Sequence, residues 1–413
     1  VTYEPLPAIV DMEESLRDAT LIHEAPGTNL AAHYVVSTGD IDQAFRDAEY
    51  TRKERFKTNR HTGNPLETRG IVADFKAGAL TVWGATKVPH FNREVLSSLL
   101  ELPEEQMHFI EGDVGGGFGI RGEFYPEDYL VPFAAINLGK PVKWMEDRLE
   151  HLIAANHSRD VLCDIEIAMK NDGSILGIRA QVYGDMGGYI RTHGSLVPAS
   201  TAGLLMGPYN VPAYQCGVHC VMTNKTGVGT FRAPGRYESC FIRERLLDMA
   251  AVDLGIDPAE LRFKNLIQPS QMPYNAGRTR ADGDTVFDSG NYPQGLSTAL
   301  EQIGYEQTNP KRWIDETGRY HGLGIATYVK NTGRGPYEGA RIVVSDSGQV
   351  AVYLGITTMG QGHETTMAQI CADSLGVPID TVTIFHGNTD YIPFGGGTYG
   401  SRGTVMGGNA VHL

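Results

Sequence analysis

The sequence predicts an α+β chain of two pseudo-repeated mixed α/β domains, built of small mixed sheets with packed helices. Three observations predict it. A run of hairpin, loop, helix, Pro-acid turn, strand and glycine-rich loop occurs over residues 70–119 and again over 340–403. Glycine, at 50 of 413 residues, is about one in eight against roughly 7% in ordinary chains, and the excess sits in loops that follow strands. A Pro-, Gly-, Asn- and Asp-rich stretch separates the copies. The expected division is a remnant of a preceding domain at 1–15, a first domain at 16–270, a linker-like segment at 271–320, and a second domain at 321–413 that is incomplete at its C-terminus.

In order, Asp40 to Glu49 reads as a short helix with Ile41, Ala44 and Phe45 on one face. Gly70–Phe75 and Leu80–Gly84 form a hairpin about Lys76-Ala-Gly78, a helix runs from Asn92 to Leu100, and Met107–Glu111 is the strand before the first glycine loop. Phe124 to Leu138 is a helix entered at Pro126 and closed by Gly139, the usual placing of those two residues. Val161–Ile167 and Ile175–Tyr183 alternate about the Asn171-Asp-Gly173 turn, a hairpin signature. Glu238 to Leu254 has helical spacing and stops at Gly255; the next helix opens on Asp257-Pro-Ala-Glu260, with a cap, a Pro at the first position and a Glu three residues after the cap. Ala340–Val344, Val350–Leu354, Glu364–Leu375 and Val382–Phe385 repeat the first pattern.

The formal net charge is −14 with no long basic run, which excludes nucleic acid and anionic membranes as expected partners. No stretch approaches about 18 uninterrupted apolar residues, and the first ten residues carry no export signal, so a cytoplasmic location is expected. The five cysteines, Cys163, Cys216, Cys220, Cys240 and Cys371, read as free thiols; Cys216 and Cys220 lack the second pair that a zinc site needs.

Chemistry is expected in four loops. Gly115 to Gly122 places five glycines in eight residues and contains a GxGxxG at Gly117–Gly122, after a strand and before a helix. That context fits nicotinamide dinucleotide binding, but Pro126 delays the helix and no string of alternating β and α units follows. Thr230-Phe-Arg-Ala-Pro-Gly-Arg236 is a rigid turn with two arginines suited to an anion or planar substrate, unless the arginines pair with carboxylates. In Met359-Gly-Gln-Gly-His363, Gln361 offers donors and an acceptor between Gly360 and Gly362. His363-Glu364 resembles the start of a zinc helix, yet Met367 stands where the second histidine belongs, so His363 is expected to orient the loop. The fourth loop is Phe394 to Gly403. Runs of free N–H groups in such loops form concave anion sites.

The four loops, in this order, resemble the molybdenum-binding subunit of the xanthine dehydrogenase and aldehyde oxidase family. Pro65-Leu-Glu-Thr68, Val142-Lys-Trp144, Glu146-Asp-Arg148, Asp288-Ser-Gly-Asn-Tyr292, Gln361-Gly-His-Glu-Thr-Thr366 and Gly387-Asn-Thr-Asp390 are closest to carbon monoxide dehydrogenase-like large subunits. The resemblance implies the fold of molybdenum cofactor-binding domains and a molybdopterin, as its cytosine dinucleotide, whose dithiolene holds molybdenum without a protein side-chain ligand. It implies that Gly116, Gly117, Phe118 and Gly119 face the pterin and that Arg232 and Ala233 approach the metal. Gly360, Gln361 and Gly362 would bind the pterin, Thr398, Gly400 and Ser401 the pyrophosphate or nucleotide end, and Phe231 and Pro234 would wall the substrate pocket.

Three departures qualify that transfer. Ala233 stands where carbon monoxide dehydrogenases have the cysteine that bridges to copper. Lys87 falls at the position near the Mo-oxo group where many members have glutamine, and a point cation is not an amide. The family's general-base glutamate, in a Gly-Val-Gly-Glu-like motif, has no counterpart here, since Gly227-Val-Gly229 is followed by Thr230. The expected function is the molybdopterin-binding subunit of a molybdenum hydroxylase acting on an aldehyde or N-heterocycle C–H bond. FAD and 2Fe-2S clusters would reside on partner chains in a dimer of heterotrimers, with this chain alone inactive. The alternatives are a non-catalytic scaffold of the same fold and an NAD-dependent dehydrogenase.

Overall fold

A computed structural model describes residues 2–84, 86–280, 283–306, 311–335 and 337–413. Strands β1 (Leu30–Thr38), β2 (Tyr50–Thr58), β3 (Gly70–Lys76), β4 (Ala79–Gly84), β5 (Met107–Ile110), β6 (Val142–Met145), β7 (Val161–Met169), β8 (Ile175–Gly187) and β9 (Ala213–Met222) build the two larger sheets. The chain divides into two compact units, and each is made of alternating segments. One unit holds 1–61, 157–229 and 233–330; the other holds 62–156, 230–232 and 331–413. These units cut across the sequential division at 16–270 and 321–413.

The first unit is a five-stranded sheet in the order β1-β9-β8-β7-β2, antiparallel except for the β8–β9 pair. One face alternates into the core through Val36, Ile165, Ile178, Val218 and their neighbours. Helix Arg236–Leu254 covers it with Ile242, Leu246 and Ala250, all buried. Helix Pro258–Asn265 starts where its sequence signals place it, with the Asp257 carboxylate accepting from the N–H of Ala259 at 2.7 Å. Cys216 and Cys220 are buried thiols in β9. The linker-like segment holds more structure than its composition suggests: helix Tyr292–Gln302, capped by Asn291 on the N–H of Gln294 at 3.1 Å, buries Leu296 into this core. Tyr292 and Leu300 pack beside it, so three apolar residues of one face order a stretch that its composition marks as linker.

The second unit contains both copies of the repeat. In the first copy β3 and β4 form a hairpin, β5 lies parallel to β4, helix Pro89–Leu100 connects them and a 3-10 turn, Glu104–Gln106, leads into β5. In the second, Ala340–Val344 and Val350–Leu354 form the hairpin and Val382–Phe385 is parallel to its second strand. Helix His363–Leu375 and the 3-10 turn Ile379–Thr381 lie between them. The copies meet at the ends of their third strands. Glu111 N–H donates to Gly387 O at 2.6 Å, and Thr389 N–H donates to Phe109 O at 3.1 Å. Two loops that each follow a third strand therefore start from adjoining strand ends. No helix among the described residues is long and apolar enough to cross a membrane.

Candidate functional site

The first glycine loop is a cradle of donors. Gly116 and Gly119 have φ of 101° and 112°, and Phe118 between them is left-handed at 54°. The N–H groups of Gly116, Gly117, Phe118 and Gly119 find no acceptor among the described residues. A left-handed conformation costs a residue with a side chain about 1–2 kcal/mol, and the four N–H groups are open to a ligand, since only Gly117 of these residues is buried. Such geometry is retained where a polar or anionic group is to be received. Past the cradle the chain makes a 3-10 turn, Ile120–Gly122, and reaches its helix only at Pro126. The GxGxxG therefore does not sit on a helix N-terminus, and β5 is the edge strand of a four-stranded mixed sheet, so the dinucleotide reading of that motif lacks its structural context.

Arg121, which sequence reasoning passed over as a filler within that motif, holds the loop. Its side chain is buried; Nε donates to Gly116 O at 2.7 Å, and Nη2 donates to Glu67 O at 2.9 Å and lies 3.1 Å from Glu67 Oε2. The same carboxylate oxygen accepts from Gly115 N–H at 2.6 Å. The quoted Pro65-Leu-Glu-Thr68 string was the available signal.

The remaining loops of this unit adjoin the first. Arg232 N–H donates to Phe118 O at 2.7 Å, and a Cβ on Gly119 would lie 2.6 Å from Thr230 O. A Cβ on Gly117 would lie 2.3 Å from Met359 Sδ, so the first loop rests directly on the Met359–His363 loop. Gly360 and Gly362 have φ of 97° and 76°, and Gln361 folds back, its Oε1 accepting from Met359 N–H at 2.6 Å. His363 Nδ1 lies 3.0 Å from Thr357 O while its ring covers Gly403, which matches the loop-orienting part expected of it. Thr398 and Thr357 are paired: Thr398 Oγ1 donates to Thr357 O at 2.6 Å, and Thr357 N–H donates to Thr398 Oγ1 at 3.2 Å. Gly400 and Ser401 are both left-handed, with φ of 55° and 57°. Phe231 packs where a Cβ on Gly63 would come within 2.9 Å of its ring. Ala233 and Pro234 belong to the other unit, where Ala233, left-handed at φ 62°, accepts from Arg159 Nη1 at 3.1 Å just before helix Arg236–Leu254.

Lys87 ties three of these segments together. Its N–H donates to Arg121 O at 3.4 Å, and its carbonyl accepts from Thr398 N–H at 2.9 Å and from Thr357 Oγ1 at 3.3 Å. The side chain is 8% exposed and lies against Gly122. Burial pulls its ammonium down to about 8, against the attraction of Glu123. Burial likewise raises the Glu111 carboxyl well above the usual range, opposed by a Thr357 contact and the Arg121 charge. The same unit thus holds two buried titratable groups, Lys87 and Glu111, and the four N–H groups of Gly116–Gly119.

The second loop repeats the brace of the first. Glu338 Oε1 accepts from Gly396 N–H at 3.1 Å, and its Oε2 lies 3.3 Å from Arg402 Nη2, which also donates to Tyr337 O. No group of three or more His, Cys, Asp or Glu side chains that could hold a metal ion exists among the described residues.

Two sequence profiles, both described as molybdopterin cofactor-binding domain, match residues 22–266 and 298–413. The chain is 38% identical over its full length to 52% of the 6-hydroxypseudooxynicotine dehydrogenase complex subunit gamma of Paenarthrobacter nicotinovorans. It is 36% identical, again over its full length, to 55% of the carbon monoxide dehydrogenase large chain of Afipia carboxidovorans. Among solved structures, the Cu,Mo-CO dehydrogenase superimposes at a TM-score of 0.90 with 34% identity, covering 100% of this chain and 56% of that one. Quinoline 2-oxidoreductase from Pseudomonas putida 86 also gives 0.90, at 29% identity, over 99% of this chain and 54% of the other. The chain spans about half the length of the curated relatives it matches.

Proposed function

The chain belongs to the family of molybdopterin cofactor-binding domains, and we propose that it is the pterin-holding part of the large subunit of a molybdenum hydroxylase. The observation that carries this reading is the cradle of four unpaired N–H groups at Gly116–Gly119, set against the Met359–His363 loop. A pterin with a pyrophosphate tail is a large, polar, anionic body, and aimed backbone donors are the groups that bind one without themselves titrating.

In this proposal Gly116, Gly117, Phe118 and Gly119 donate to the pterin end, and Arg232 and Ala233 approach the metal. Gly360, Gln361 and Gly362 meet the pterin ring, while Thr398, Gly400 and Ser401 take the pyrophosphate of a cytosine dinucleotide. Bound there, the cofactor supplies two-electron oxidation of a C–H bond with oxygen from water. The protein's own part is to orient the cofactor through fixed donors, to keep Lys87 and Glu111 buried, and to exclude water. Phe231 and Pro234 are proposed as substrate-pocket walls. The substrate class is an aldehyde or N-heterocycle. Carbon monoxide is not proposed, because Ala233 offers no thiolate for copper at the position of the bridging cysteine.

Electrons leave to FAD and 2Fe-2S partner chains in this proposal, since the five thiols here offer no cluster framework: Cys163, Cys216, Cys220 and Cys371 are buried free thiols and Cys240 lies half-buried on a helix. A second reading, a non-catalytic scaffold, is favoured by Lys87 alone. Molybdenum and pterin analysis of the natively purified complex, followed by assays on aldehydes and N-heterocycles, separates the two. Metal and pterin with turnover support the hydroxylase, and metal and pterin without turnover on either class support the scaffold. Absence of both metal and pterin contradicts the hydroxylase and agrees with a scaffold whose site is vacant.

A further inference from the structure

The two glycine loops, one at the end of each copy of the repeat, are held by similar Glu–Arg pairs. In the first, Glu67, three residues before strand β3, accepts from Gly115 N–H and faces Arg121, six residues beyond that glycine. In the second, Glu338, two residues before strand Ala340–Val344, accepts from Gly396 N–H and faces Arg402, again six residues beyond the glycine. Both arginines are almost wholly buried, at 2% and 0% exposure. Each also binds a backbone carbonyl at its glutamate, Arg121 that of Glu67 and Arg402 that of Tyr337. Close approach is enforced in both copies: a Cβ on Gly115 would lie 2.4 Å from Glu67 Cβ, and one on Gly396 would lie 1.6 Å from Arg402 Nη1.

We propose that Glu67–Arg121 and Glu338–Arg402 are paired positioning braces, one per repeat, that fix the two glycine loops in the form that receives the cofactor. The inference rests on the functional reading above and adds four residues that the resemblance did not assign. None of the four needs to touch the ligand. Each carboxylate orders a backbone that glycine would otherwise leave with many conformations, so the entropy of ordering the loop is met before binding rather than during it. The arginine holds the carboxylate, by a hydrogen bond in the first copy and by an ion pair in the second, and the carboxylate's hydrogen bond to the glycine N–H is charge-assisted in both.

The test uses the natively purified complex and the variants E67Q, R121K, E338Q and R402K. Three quantities are read: pterin per chain, the rate of pterin release, and amide hydrogen exchange at Gly115 and Gly396. Removing one charge-assisted bond is expected to speed release by about tenfold. Exchange should rise at Gly115 in the first pair of variants and at Gly396 in the second, and the rise should stay confined to those loops in the pterin-free chain even where loss of a buried pair lowers the unfolding midpoint. The double variant E67Q/R121K should release no faster than its worse single, because the two residues act as one device, whereas E67Q and E338Q should multiply. Unchanged release and unchanged exchange overturn the inference, as does faster release accompanied by exchange that rises throughout the chain rather than at Gly115 or Gly396. If the wild type holds no pterin, the functional reading falls, and exchange at Gly115 and Gly396 still decides whether the braces order the loops.

Discussion

The side chain of Lys87 lies across the α-carbon of Gly122: a Cβ there would sit 2.0 Å from Lys87 Cε and 2.6 Å from Nζ. The lysine fills the space that a side chain at residue 122 would occupy, and the two positions form one structural unit. Gly122→Ala is therefore expected to destabilise by about 1–3 kcal/mol, the usual range for overpacking a closed site. Lys87→Ala in the same chain should recover part of that loss. Denaturant midpoints of the single and double variants check it, and simple additivity would show that the contact has no energetic weight.

Burial of the Lys87 ammonium has a defined pH signature. Its folded-state value of about 8 lies below the ordinary 10.5, so between those values the unfolded chain binds more protons and stability contributed by this site rises with pH. The penalty for burying the charge is complete below about pH 8. Lys87→Met should stabilise the protein at pH 7 by up to a few kcal/mol, and the gain should fade between pH 8 and 10.5. Unfolding free energies across that interval decide; a gain independent of pH would assign the effect to packing.

Glu146 shows the opposite sign. Burial raises its carboxyl, but hydrogen bonds from His151 at 2.8 Å and from Arg69 Nε at 3.0 Å prevail and hold it near 2. A carboxylate held below its ordinary 4.5 contributes stability that is present above that value and lost as pH falls toward 2. Glu146→Gln should cost about 3–5 kcal/mol at pH 7, as breaking a buried pair does. The difference from wild type should shrink through that acid interval in chemical unfolding curves.

The repeat was legible in the sequence because it is carried by covalent order: hairpin, helix, Pro-acid turn, strand and glycine loop recur with the same signals. Period alone does not say that both copies pack into one unit with the segment 230–232, since that depends on pairings such as Glu111 with Gly387 across 276 residues. Positions with no side chain were also legible, because glycines advertise close approach. The residues that hold them were not. Arg121 and Arg402 read as ordinary polar residues between glycines, and only three-dimensional pairing with Glu67 and Glu338 reveals what they do. Helix Tyr292–Gln302 was missed because a Pro- and Gly-rich surrounding masks a pattern that Tyr292, Leu296 and Leu300 anchor.

Gly117 and Met359 offer a further check on the contact between the repeats. Because a Cβ on Gly117 would meet Met359 Sδ at 2.3 Å, Gly117→Ala should weaken pterin retention, and adding Met359→Ala should restore it in part by making room. Pterin content of the purified single and double variants is the measurement. Equal losses in the two would place the defect in the glycine's backbone rather than in the contact.

The claim at the centre of this account is that Gly116–Gly119 receive a molybdopterin. It is tested most directly by an experimental structure of the natively purified complex. The account predicts density for a pterin with its pyrophosphate tail, with the ring within hydrogen-bonding distance of the N–H groups of Gly116–Gly119 and the tail beside Thr398 and Gly400. A fully loaded complex whose pterin lies elsewhere, with those N–H groups turned to solvent, would contradict it.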